Sequence, residues 1–224
     1  MLFGRFGRLR MTPAYALLVV IVWAVVLAVS PELGEQIVHA NSTNVANLLD
    51  GRVYTLLSSA LVLGDSPDVL GVLAMVVVLG VAELAWGWLR VAGVFLFGHV
   101  VATVVVFGGL ATGIALKQLG AHLATAPDVG ISYGTVAVLG ALLVYLPLRH
   151  RLHWQILAVG AGVAGVVLTQ DFTAAGHLTS LLLGFAAGYA LRRGLVRRLR
   201  RPLAAIAQAM PGPAPAAALV RSAR

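Results

Sequence analysis

Uncharged apolar runs of membrane-spanning length recur along this chain, and that recurrence limits its fold more than any single motif does. The first, "AYALLVVIVWAVVLAVS", extends from Ala14 to Ser30. A backbone inside hydrocarbon must satisfy its own N–H and C=O groups, so such runs form helices, each about 20 residues long. Hydrophobic residues make up 60% of the chain and charged ones 11%, against about half and a quarter in soluble domains. The reading is an all-α polytopic membrane protein. The first run exceeds the usual core of a signal peptide and no convincing A-x-A site follows it, so it reads as a retained span.

Six stretches can cross a membrane: about 13–30, 67–86, 88–113, 132–148, 154–170 and 172–191. The second is short for a lone span and needs neighbouring helices around it. Charge gives the orientation. Arg5, Arg8, Arg10, Arg90, Arg149, Arg151, the arginine cluster from Arg192 to Arg201, Arg221 and Arg224 fall on one side. Arg52 and Lys117 fall on the other, with every acid except Glu83. The positive-inside rule then puts both termini in the cytoplasm. The expected organisation is a basic N-terminus (1–12), a six-helix membrane domain (13–192) with an interfacial first loop (about 31–66), and a basic, largely disordered tail (193–224). In the first loop "RVYTLLSSALVL" is apolar but too short to span, and reads as a hairpin or short helix in the outer interface. Glu83 and Arg90 are expected to pair at the inner interface.

Composition also excludes chemistry. Cysteine is absent, which removes disulfides and thiolate sites. No spacing suggests a metal, and no cofactor is expected. The net charge of +8 sits beside the spans, where it reads as membrane topology and not as a nucleic-acid surface. The expected location is a bacterial cytoplasmic membrane; the oligomeric state is left open.

Ser132 stands where a polar loop becomes an apolar helix, in Gly130-Ile131-Ser132-Tyr133-Gly134. The G-x-S-x-G elbow of soluble hydrolases needs a preceding buried strand, and here a loop with Pro127 and Asp128 precedes it. Two accounts stay open: a helix cap whose hydroxyl satisfies a free N–H, or a nucleophile. His177 bears on the choice. From Ser132 the chain crosses, turns near Arg149-His150-Arg151, returns, turns at Asp171 and reaches His177 just inside the sixth span. Serine and histidine therefore fall at similar depth below one surface, and ionisable groups inside a membrane are functional candidates. Ser180, Gly184 and Gly188 share a helix face with His177, and Ala137 and Gly140 can oppose them. Small residues so spaced let helix backbones approach closely. His99 lies mid-span, where a hydrogen bond to a carbonyl or a polar cavity would each account for it.

These features together resemble the rhomboid family of intramembrane serine proteases. In that family the fourth span opens with G-x-S-G and the sixth carries A-H-x-x-G-x-x-x-G. Here the stretches read Gly130-Ile131-Ser132-Tyr133, and Gly176-His177 followed by Ser180 and Gly184. "GRVYTLLSSALVL" looks like the family's "GQWWRLLT" loop region, and Glu83, Gly87 and Arg90 look like its acidic, glycine and basic residues after the second span. The resemblance implies Ser132 as nucleophile and His177 as general base and acid, a dyad without the third member of soluble triads. It implies transmembrane-helix substrates cut near the outer face.

Three departures are visible. The family's H-x-x-x-N falls on Pro67 and Gly71, which lack side-chain donors; the glycine after the nucleophile is Tyr133; and an aromatic that stacks on the histidine is replaced by Val136. Losing an oxyanion donor costs about 3–4 kcal/mol of transition-state stabilisation. The expected oxyanion and cavity residues are Gly130, Tyr133, Gly71 and His122, with Asn41, Asn44 and Asn47 as other possible donors. Two functions follow: a divergent protease, or a pseudoprotease that binds transmembrane clients. A small transporter is a third, without the matched broken helices such proteins carry.

Overall fold

In the computed structural model, residues 9–64 and 69–209 are described, with side chains to residue 194. Among the described residues the chain is helical without strands. In order the helices are α1 (Met11–Ala28), α2 (Pro31–Asn41), α3 (Val45–Leu49), α4 (Thr55–Ser58) with a 3-10 turn at Ser59–Leu61, α5 (Val69–Trp86), α6 (Trp88–Ala115), a 3-10 turn at Ala121–Ala124, α7 (Ser132–Leu143), α8 (Leu148–Thr169) and α9 (Phe172–Ala209). By length and composition α1, α5, α6, α8 and the Phe172–Gly194 part of α9 can cross a membrane.

The fourth expected span is the exception. At 12 residues α7 reaches about 18 Å at 1.5 Å per residue, short of a hydrocarbon core of about 30 Å. It is nevertheless apolar, and Tyr133, Gly134, Ala137, Val138, Gly140 and Ala141 are buried. Most of its residues are covered by neighbouring protein, while Leu139 faces outward. Where a turn was expected at Arg149-His150-Arg151, these residues belong to the first turns of α8. The chain instead reverses at Val144–Pro147, because proline holds an extended conformation (φ −53°, ψ 143°) that ends one helix and starts the next. The continuation α9 runs to Ala209, through the start of the expected tail; residues 210–224 of that tail, residues 1–8, and Pro67 lie outside the described residues. The chain divides into two compact units at Gly188 and Tyr189, and the site below lies in the first.

The first loop is built from local signals. Ser30 precedes Pro31 at the start of α2, and its hydroxyl accepts from Leu33 N–H at 3.4 Å; a serine cap followed by proline is a helix start. Asn44 caps α3 by accepting from Asn47 N–H at 2.8 Å. "RVYTLLSSALVL" forms α4 and its 3-10 turn.

Glu83 does not pair with Arg90. Its carboxylate accepts from the backbone N–H groups of Arg10 (2.6 Å), Met11 (2.9 Å) and Thr12 (2.8 Å), and from the Thr12 hydroxyl (2.7 Å). An acid of α5 thereby supplies the cap that α1 lacks, since Arg10 offers no side-chain capping bond. The free N–H groups and positive end of a helix suit a buried carboxylate better than one guanidinium across water would. Arg90 turns to the Trp86 carbonyl at 2.8 Å.

Candidate active site

Packing around α7 brings the two candidate residues to the same end of the bundle. On one flank Gly98 of α6 meets Ala137, where an added Cβ would lie 2.0 Å from the Ala137 Cβ, and Gly134 meets the Phe95 ring. On the other flank α9 lies alongside. A Cβ on Gly140 would be 2.6 Å from the Leu181 carbonyl oxygen, one on Gly184 would be 2.1 Å from that of Ala137, and one on Gly188 would be 2.8 Å from that of Ala141. Contacts of residues 137, 140 and 141 with residues 181, 184 and 188 advance together, so α7 and α9 run parallel in backbone contact. One turn earlier the register brings Tyr133 against Gly176 and His177: a Cβ on Gly176 would sit 2.2 Å from Tyr133 Cζ and Oη. The Tyr133 and His177 rings meet edge to face, centroids 5.4 Å apart at 86°. Ser132 is the first residue of α7, beside Tyr133 at the level of His177.

Ser132 is not a cap. The cap position is Ile131, without a side-chain capping bond, and Ser132 is half-buried. His177 Nε2 is buried and has no hydrogen-bond partner, so Ser132 and His177 are not directly bonded. Gly130, two residues before Ser132, has φ +136°, a conformation that side chains oppose, and its N–H is held by the Ser59 carbonyl at 2.9 Å.

The other expected cavity residues divide. Tyr133 is inside the site, 3% exposed, with its hydroxyl buried. Gly71 lies near the start of α5. His122 is exposed on its 3-10 turn with its ring folded over Gly120. The asparagines serve the first loop: Asn47 Nδ2 donates to the His39 and Ser42 carbonyls, both at 2.8 Å, Asn41 Nδ2 donates to Ile37, and Asn44 caps α3. Asn47 therefore has both amide N–H groups committed to scaffolding, and Asn41 has one of its two. Ser180 is fully buried in the bundle, with its hydroxyl unbonded. Among the described residues no three His, Cys, Asp or Glu side chains gather as a metal site.

Three loop residues escaped the sequence reading. Thr43 N–H donates to the Asp128 carbonyl (3.0 Å), Asp128 N–H donates to Ser42 Oγ (2.7 Å), and Ser59 grips Gly130 as above. Only a run of small hydroxyls, Ser42-Thr43 and Ser58-Ser59, marks them in the sequence. Asp128 itself is half-buried beside Tyr133. Burial pushes its carboxyl up, the Tyr133 hydroxyl opposes this and the charge of Asp171 adds to it, for a pKa of about 6.

A family model for rhomboid-like proteins matches residues 9–198. The chain belongs to the rhomboid-like family. No curated protein and no solved structure matches it. The family and the apolar helices point to a multi-pass membrane protein, and the family suggests an intramembrane protease or pseudoprotease.

Proposed function

We propose that the protein is an intramembrane serine endopeptidase in which Ser132 and His177 form the dyad. One observation supports this reading: Tyr133 lodges against Gly176 and His177, so its neighbour Ser132 opens α7 at the end of the bundle where α9 carries the imidazole. Ser132 Oγ attacks the scissile carbonyl while its proton passes to His177 Nε2, which is free of any competing bond. The tetrahedral intermediate collapses, and the same nitrogen returns the proton to the leaving amine. Water then releases the acyl group through the same base. The Ser132 backbone N–H, free at a helix start, is the available oxyanion donor. The substrate is a transmembrane helix unwound near the outer face, since only an unpaired backbone exposes its carbonyls to the serine. Six crossings with both termini cytoplasmic remain part of this reading.

The second reading, a pseudoprotease that holds transmembrane clients, is favoured by the commitment of Asn41 and Asn47 to the first loop and by Gly71, which brings no side-chain donor. Proteoliposomes containing the purified protein and a panel of single-span helical substrates separate the two. Product formation by wild type and none by Ser132→Ala supports the protease. Retained client binding without product in either supports the pseudoprotease.

A further inference from the structure

His99, in the middle of α6 and 3% exposed, has no part in the dyad chemistry, yet it ends a chain of buried hydrogen bonds that leads to the loop before Ser132. Its Nε2 lies 3.1 Å from Ser59 Oγ. Ser59 Oγ lies 2.9 Å from Thr43 Oγ1, and Thr43 Oγ1 lies 2.6 Å from the Thr55 carbonyl oxygen.

Counting protons fixes the direction of this chain. A carbonyl only accepts, so the single proton of Thr43 goes to Thr55. The contact between the two hydroxyls then needs the proton of Ser59. Ser59 has none left for His99, so the third contact needs a proton on Nε2. His99 Nδ1 is buried without a partner: as a bare acceptor it is tolerable, whereas a second N–H there would be an orphaned donor, costing its full desolvation. The ring is neutral and carries its proton on Nε2.

We infer that His99 is a positioning residue: its Nε2–H starts a one-way hydrogen-bond chain that fixes Ser59, and the Ser59 carbonyl fixes Gly130 and hence the loop presenting Ser132. The inference rests on Ser132 as the nucleophile, but the chain itself does not. The ring has a second route to the site. It stacks on Phe95 (centroids 6.3 Å, 14°) and faces Tyr133 (6.2 Å), which bears on His177. Thr43 and Ser42 add their bonds to Asp128, so the loop is held on both sides of Val129.

The test uses the full-length protein in micelles and two readouts. Nitrogen-15 spectra, with His99 assigned by its loss in His99→Gln, should show one neutral ring protonated at Nε2; an Nδ1–H tautomer or a cation overturns the chain. The second readout is the rate at which a fluorophosphonate labels Ser132. His99→Phe and Ser59→Ala should each slow it by about tenfold, the rate equivalent of one hydrogen bond. His99→Gln, which keeps an N–H at the end of the side chain, should restore most of the rate. Wild-type rates in His99→Phe and Ser59→Ala, or equal losses in the Gln and Phe variants, overturn the inference. If wild type takes no label, the dyad reading has failed separately. Hydrogen exchange of the Gly130 amide then decides: faster in His99→Phe than in His99→Gln supports the positioning role, and no difference overturns it.

Discussion

Tyr133 leans edge-on against His177, with ring centroids 5.4 Å apart, in a notch that exists because residue 176 is glycine. Two departures from the family pattern thereby explain each other. Position 136 is valine, yet an aromatic, Tyr133, lies against His177, and the residue before the histidine is Gly176, which leaves room for the ring. Gly176→Ala puts a methyl 2.2 Å from Tyr133 Cζ and Oη, so the ring must leave its seat. Overpacking of this kind costs about 1–3 kcal/mol, and Ser132 labelling should fall with it. Combining Gly176→Ala with Tyr133→Gly removes the clash, so the double variant should lose less than the sum of the singles. Additive losses in unfolding midpoint and labelling rate would show that the two positions are not coupled.

The contact of α7 with α9 is backbone against backbone and cannot yield by a rotamer change. Gly184→Ala drives its methyl to 2.1 Å from the Ala137 carbonyl, and the helices must separate. A loss of about 3 kcal/mol or more is expected, at the upper end for overpacking. Gly160→Ala in α8 meets nothing within 4 Å and should be neutral or slightly stabilising through helix propensity. Unfolding of both variants in micelles checks the contrast.

Glu83 holds the start of α1 through four hydrogen bonds. Glu83→Gln keeps the shape but loses the charge and one acceptor oxygen, leaving buried N–H groups competing for the other. Bonds to a charged acceptor are worth about 1.5–3 kcal/mol each, so a clear drop in thermal midpoint is expected. Arg90→Gln should change it far less, because Arg90 bonds the Trp86 carbonyl at an exposed position. Equal losses in the two variants would restore the Glu83–Arg90 pair.

Asp128 gives the protein a pH dependence of definite sign. Its pKa rises from 3.8 to about 6. Between those values the unfolded chain has released a proton that the folded chain retains, so stability falls as pH rises through the window and is level above it. A shift of this size corresponds to about 3 kcal/mol. Asp128→Asn keeps the backbone bonds to Ser42 and Thr43 and removes the titration. It should therefore melt higher than wild type at pH 7, and the two should converge towards pH 4. A constant gap between the melting curves across this range contradicts the burial of that carboxyl.

The sequence carried the parts of this architecture that depend on residue type and local spacing. Apolar runs marked the helices, and the offsets from His177 to Ser180, Gly184 and Gly188 marked the face that α7 approaches. Ser132 and His177 stood out as candidates because one opens an apolar helix between two glycines and the other is an imidazole within a membrane span. What remained hidden depends on partners far along the chain. Glu83 caps a helix 71 to 73 residues away, a contact no local pattern encodes. Tyr133 read as a lost glycine because its seat, Gly176, lies on another helix. The short α7 was hidden because Val144–Leu146 are as apolar as the helix before them, and only Pro147 marks the turn.

The most direct measurement is the mass of the Ser132 peptide after the folded protein meets a fluorophosphonate. The account expects one adduct, on the Ser132 hydroxyl, that disappears in Ser132→Ala and in His177→Ala while both variants still fold. A folded wild-type protein whose Ser132 stays unmodified, or a His177→Ala variant labelled as fast as wild type, would contradict it.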